Sequence, residues 1–289
     1  MTTMRAMATD RVGPDATLRP LDLPVKDPGD GAVLIKVMAA AVNPADLGMV
    51  AGSYRWYDEL RLPLVPGYDV AGVVVAGDWE VGAAVIASTG HSRTQAGGFA
   101  EYVTLPASYL APAPKNLDWE QAATIPLAGI TAHQALELIG LQAGQTLLVN
   151  GPRGAVGHFA VELARRAGAT VIEAGRDDKP LDRAVDAALD VVGGPRARQA
   201  FAAVRDGGTY VTAVPEFWVP GGQFTAERGI TPQLVRAESD GARLSALSAA
   251  ADAGDLTTTV AKTLPLDQAQ DALDLLAARA VRGRLVLVP

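Results

Sequence analysis

Residues 146–173 read TLLVNGPRGAVGHFAVELARRAGATVIE, and this stretch limits the possible folds more than any other in the chain. Leu147, Leu148 and Val149 form a short apolar run suited to a buried parallel strand, and Gly151, Gly154 and Gly157 follow at a spacing of three. Val156, Ala160, Leu163, Ala164 and Ala167 then recur at helical spacing, Gly168 closes the helix, and residues 170–172 form a β-branched second strand. A strand, a glycine turn, a helix and a strand make the frame in which small residues let the backbone approach a pyrophosphate. The helix start adds N–H groups and a positive dipole end. A bare glycine pattern would say little; its flanking elements make it a dinucleotide-binding signature, with Gly154, Ala155, Val156 and Gly157 expected against the pyrophosphate.

The rest of the chain fits a two-domain α/β protein. Its 289 residues exceed one usual domain, and two domains sharing a cleft are expected. Strands are expected over 4–8 and 32–42, separated by a turn-rich piece containing Pro24, Pro28 and Gly29. Residues 119–139 have helical spacing broken or kinked at Pro126. Further strands are expected over 186–192 and 209–214, the latter entered through turn residues Asp206, Gly207 and Gly208. A loop is expected at 220–222, a helix over 241–253, and a return to the first domain from Thr257 onward. Strand and helix alternate from about 141 to 213, as in a doubly wound parallel sheet.

Composition excludes several classes of function. With no cysteine there is no disulfide, no thiolate nucleophile and no cysteine-held zinc. A net charge of −7, without long runs of one sign, argues against a nucleic-acid surface. No stretch is apolar and long enough to span a bilayer, and MTTMRAMATDRVG at the start lacks a signal peptide's apolar core, so a cytoplasmic location is expected.

Five ordered motifs carry a wider likeness: AAAVNPAD (39–46), PLVPGYDVAGVV (63–74), GGFAEYV (97–103), AATIPLAGITAHQAL (122–136) and RGRLVLVP (282–289). Together with the glycine turn they resemble the zinc-free quinone oxidoreductase branch of the medium-chain dehydrogenase/reductase superfamily, which includes the zeta-crystallin-like proteins. The resemblance implies a β-rich GroES-like catalytic domain over 1–115 and 257–289, and a Rossmann domain over 116–256. Only thirteen residues separate Ile172 from Asp186, where the family fits a further helix and strand. A shortened Rossmann sheet with an altered adenosine edge is therefore expected. The hairpin between Val75 and Val85 is shortened as well.

The resemblance also implies site residues. Zinc-dependent relatives carry a Cys at the position of Asn43 and a His-Glu pair at Tyr68 and Asp69, so the ligand positions are lost. His91, His133 and His158 lie far apart, without ligand spacing, and read as ordinary surface or cleft residues. Without a metal to stabilise an alkoxide, reduction of an activated acceptor remains. Asn43 and Tyr54 correspond to residues lining the nicotinamide and substrate cleft, where an amide or phenol donor stabilises charge developing on an acceptor oxygen. Gly48 replaces another tyrosine, and a packed loop of Tyr54, Trp56 and Tyr57 with no chemical part is the alternative. The ribose-binding carboxylate of an NAD site is replaced by Gly175, followed by Arg176 and, nearby, Lys179. These basic groups favour NADPH, with Glu173, Asp177 and Asp178 as counter-evidence. Thr131 is expected to approach the cofactor from the long helix. Val192, Gly193, Ala213 and Val214 do so from strand ends, and Arg284 is a looser match. The implied protein is a homodimer that transfers hydride from NADPH to a small-molecule quinone or enone. A pathway-dedicated enoyl reductase and a non-enzymatic NADPH-binding or RNA-binding protein are the alternatives.

Overall fold

A computed structural model describes residues 2–53, 60–175, 180–214 and 226–289. In chain order the elements are β1 (Thr3–Ala8), β2 (Arg19–Pro24), β3 (Ala32–Val42), α1 (Pro44–Val50), β4 (Asp69–Gly77), β5 (Ala84–Ser88), α2 (His91–Thr94), β6 (Tyr102–Pro106) and β7 (Leu110–Pro112). Then come α3 (Trp119–Ala123), α4 (Pro126–Ile139), β8 (Thr146–Asn150), α5 (Ala155–Arg166), β9 (Thr170–Ala174), β10 (Val185–Asp190), α6 (Gly194–Ala203), β11 (Val204–Thr212) and β12 (Gln233–Leu234). Last are α7 (Gly241–Asp252), β13 (Val260–Pro265), α8 (Ala269–Ala277) and β14 (Arg284–Val288).

Two compact units result: Met1–Leu127 with Ser239–Gly254 and Thr258–Pro289, and Ala128–Glu238 with Asp255–Thr257. These limits differ from 115 and 257. The helix α3 packs against β3, β4 and β14, and α7 packs against β5 and β7, so both belong to the first unit. Pro126 does end one helix and start another, as its missing N–H requires.

The first unit is built on a sheet in the order β13-β14-β3-β4-β5-β7, with β6 also pairing β3, and on the separate β1-β2 hairpin. Its core gathers Val33, Ile35, Val37, Val70, Val85, Phe99, Leu105, Leu285 and Leu287. The C-terminal β14 pairs antiparallel with the end of β3, Leu285 opposite Val42 and Leu287 opposite Ala40. The expected loop before β3 holds β2, an edge strand whose two prolines face a single partner.

The second unit holds a five-stranded sheet, β12-β11-β10-β8-β9, parallel throughout. It is the shortened Rossmann sheet expected from the sequence. No helix or strand intervenes among the described residues between β9 and β10. Leu181 packs instead with Ile172 and Ala174 onto the core of Leu148, Ala188, Ala200, Phe201 and Tyr210. Residues 206–208, expected as a turn before β11, lie inside that strand. Val185 pairs with Val204 and Ala187 with Thr209, so the extra residues bulge from the ladder.

Candidate active site

In the first unit, the NPAD and PGYD motifs form one buried polar cluster. Asn43 follows β3 and caps α1, with Pro44 at the helix start. The Asn43 backbone N–H donates to Asp46 Oδ2 at 2.8 Å, and the Gly67 N–H donates to Asp46 Oδ1 at 2.9 Å. Asn43 Nδ2 donates to Asp69 Oδ2 at 2.8 Å and to the Ala41 carbonyl at 3.3 Å, while the Leu127 N–H donates to Asp69 Oδ1 at 2.6 Å. Gly67 must be glycine: at φ +113 a Cβ would stand 2.6 Å from the Gly98 nitrogen and 2.7 Å from Phe99. This close approach seats the GGF motif on PGYD.

Both carboxylates are fully buried, and burial lifts each to about 7. For Asp46 the backbone N–H groups of Asn43, Gly67 and Tyr68 pull the other way, and the charge of Asp69 pushes it further up. For Asp69 the Leu127 N–H, the Asn43 amide and the charge of Arg284 favour ionisation. The Arg284 guanidinium also donates to the Thr124 carbonyl. The Asn43 amide nitrogen, expected to face the substrate cleft, donates to Asp69 and Ala41 and so braces the cluster.

Each histidine meets a group of the protein. His91, expected on the surface or in a cleft, is fully buried in α2, and its Nε2 meets the Val65 carbonyl at 2.8 Å. Burial lowers its pKa to about 4. His133 lies 3.5 Å from Glu137 one helical turn on, and His158 meets the Thr257 carbonyl at 3.0 Å. Among the described residues no group of His, Cys, Asp or Glu could hold a metal ion.

In the second unit, β8 runs through the glycine turn into α5. Gly151 has φ +95, and a Cβ on it would meet Val192 at 2.6 Å and Val191 at 2.8 Å, so the turn lies against the end of β10. Gly157 is tighter still, because a Cβ there would fall 2.1 Å from the Gly151 carbonyl oxygen. Gly154 caps α5, is exposed, and has only the Gly151 oxygen, at 3.5 Å, near a notional Cβ. Ala155 and Val156 open the helix and are half-buried. A bare backbone at a helix start is what a pyrophosphate fits, so this turn suits a dinucleotide.

At the neighbouring strand ends, Asp190 gathers hydrogen bonds. Asn150 Nδ2 donates to it at 2.6 Å and Tyr210 Oη at 3.2 Å, while the Val192 and Gly193 N–H groups donate at 3.1 Å. The Ala213 N–H donates to the Asp190 carbonyl, and the Val214 N–H to Thr212 Oγ1. The backbone donors of these four expected contact residues are thus used inside the protein. Thr131 is buried in α4. Tyr54, Arg176 and Lys179 lie outside the described residues, as do Trp56, Tyr57 and the loop expected at 220–222.

Sequence reasoning missed the Asn150–Asp190 pair and the bracing role of Asp46. The signal for the pair was available: each of TLLVN and DAALD is a strand ending on a polar residue, where a buried group needs a partner.

Comparison with known proteins agrees with this architecture. Residues 29–115 match the alcohol dehydrogenase GroES-like domain, and residues 165–287 match the zinc-binding dehydrogenase family. A 2-methylene-furan-3-one reductase of Solanum lycopersicum is 30% identical over 92% of this chain and 74% of its own length. A chloroplastic NADPH-dependent alkenal/one oxidoreductase of Arabidopsis thaliana is 30% identical over 97% of this chain and 78% of its own. The solved quinone oxidoreductase of Coxiella burnetii superposes with a TM-score of 0.88 at 26% identity, covering all of both chains. With its GroES-like unit, its shortened Rossmann sheet and these relatives, the chain belongs to the quinone oxidoreductase branch of the medium-chain dehydrogenase/reductase superfamily, whose members are NAD(P)H-dependent oxidoreductases.

Proposed function

We propose that the protein reduces the double bond of an α,β-unsaturated carbonyl compound, or a quinone, with NADPH and without a metal. The observation that carries this reading is the turn at 151–157, a backbone cradle at the start of α5 in which Gly157 admits no side chain. The enone is favoured because two relatives act, by name, on a methylene-furanone and on alkenals and enones.

NADPH, when bound, would supply a hydride for the substrate's β-carbon. The chain's residues bind and orient. Gly154, Ala155, Val156 and Gly157 would hold the pyrophosphate, Arg176 and Lys179 would meet the 2′-phosphate, and Thr131, Val192, Gly193, Ala213 and Val214 would line the cofactor's course. Tyr54 would donate a hydrogen bond to the substrate oxygen as it gains charge, and Tyr54 or water would supply the proton that the α-carbon takes up, Tyr54 being reprotonated from solvent. Asn43, held by Asp69, fixes the turn into α1 that shapes the substrate pocket. The acceptor is a small molecule, and the working form is a cytoplasmic homodimer.

Steady-state NADPH oxidation with 9,10-phenanthrenequinone and a simple enone tests this, alongside cofactor titration. Tyr54→Phe is expected to slow enone turnover about tenfold to a hundredfold, with cofactor affinity unchanged. Arg176→Ala should weaken NADPH binding about ten- to a hundredfold and leave NADH as it was. Activity should survive chelation, and elemental analysis should find no stoichiometric zinc. A protein that binds NADPH yet turns over neither acceptor would overturn the enzymatic reading.

A further inference from the structure

A basic group from another element reaches the end of β9. Arg196 lies in the first turn of α6, and its guanidinium reaches across the carboxyl edge of the parallel sheet. Nε donates to Asn150 Oδ1 at 3.4 Å, at the end of β8, and Nη2 donates to the Gly175 carbonyl just beyond β9. Asn150 in turn donates to Asp190, so one amide ties the guanidinium to the buried polar cluster at the strand ends.

The position matters because of Gly175. At that place a Rossmann site selective for NAD carries the carboxylate that accepts from the ribose 2′-hydroxyl. Here a guanidinium is bonded to the backbone of that residue. The α6 helix packs against β8, β10 and β11, and Arg196 extends from its first turn to the end of β9. Arg196 lines a cavity of about 50 Å³ together with Leu148, Ile172, Ala174, Pro180 and Leu181.

We infer that Arg196 is a cofactor-specificity residue, which recognises the phosphomonoester on the 2′-oxygen of NADPH from the α6 side of the sheet. A guanidinium has five N–H donors in a planar fork, so one group can hold a backbone carbonyl and a phosphate oxygen at once. The inference rests on the NADPH reading above and adds a residue from a separate element, twenty positions beyond Arg176.

Isothermal titration of the full chain with NADPH, NADH, 2′,5′-ADP and ADP tests it, using wild type, Arg196→Ala, Arg196→Lys and Arg176→Ala. Arg196→Ala should lose about ten- to a hundredfold in affinity for NADPH and 2′,5′-ADP, with NADH and ADP within about threefold of wild type. Arg196→Lys should recover part of that loss. Should Arg196→Ala not fold, Arg196→Gln replaces it, keeping a donor for the Gly175 carbonyl while losing the charge. An equal loss for both cofactors would mean that Arg196 only props the backbone, and unchanged discrimination in the Arg196 variants would overturn the inference while leaving NADPH preference intact. A wild type with no preference for NADPH would overturn the cofactor reading itself.

Discussion

Asp69 and His91 are both buried, and their titrations oppose each other. Asp69 rises from 3.8 to about 7 on folding, chiefly through burial, so the native state binds the extra proton between those values. Its contribution is complete below about pH 4 and is lost as pH rises through 7. His91 falls from 6.5 to about 4, again through burial, so the unfolded state binds the extra proton. Its contribution is complete above 6.5 and is lost as pH falls towards 4. Urea unfolding across pH 4 to 8 separates them. Wild-type stability relative to Asp69→Asn should decline by several kcal/mol on raising the pH, at about 1.36 kcal/mol for each pH unit crossed between the two values. Relative to His91→Gln it should decline on lowering the pH. Parallel profiles for wild type and Asp69→Asn would show that Asp69 is ionised throughout.

Among the elements, the glycine turn separates packing from ligand contact. Gly157→Ala drives a methyl group into the Gly151 carbonyl, so it should cost about 1–3 kcal/mol and weaken cofactor binding together. Gly154→Ala meets no atom closer than 3.5 Å at an ordinary φ of −80. It should lower stability by no more than about 1 kcal/mol, the cost of an Ala helix cap, while weakening NADPH binding more than tenfold. Thermal unfolding beside cofactor titration checks both; normal NADPH affinity in Gly154→Ala would remove the turn from the cofactor site. Much of this turn is legible in the sequence because its cause is local: Gly154 and Gly157 both answer to the Gly151 carbonyl, although Gly151 itself lies against Val191 and Val192. The same holds for Pro126 between two helices. β2 is not legible, since RPLDLP looks like a loop until β1 supplies its ladder. The bulge at 206–208 is invisible because it depends on β10. The bonds from Arg196 to Asn150 and Gly175 cross 46 and 21 residues, and no local pattern announces them. Asn43 is found through its motif, but the motif alone leaves its amide free for a substrate, because the partner that takes it, Asp69, stands 26 residues on.

The whole chain is one unit interrupted by another, and each has its own core. Leu287 is fully buried on the last strand, in the core of the first unit. Leu287→Ala should therefore cost about 2–5 kcal/mol and act on that unit. Limited proteolysis should show early cleavage within 1–127, while the segment 128–238 stays resistant and NADPH still protects it. Simultaneous digestion of both segments would mean that they unfold as a single cooperative body. The pairing of β14 with β3 also sets an order of events during synthesis. Some 240 residues separate Val42 from its partner Leu285, so at about 5–20 residues per second a nascent chain carries the end of β3 for roughly ten to fifty seconds before that edge is covered. Meanwhile all of 128–238 emerges from the ribosome and can close its parallel sheet. The segment at Ala40, Ala41 and Val42 is thus the place where a half-made chain is open to chaperones, or to another nascent copy.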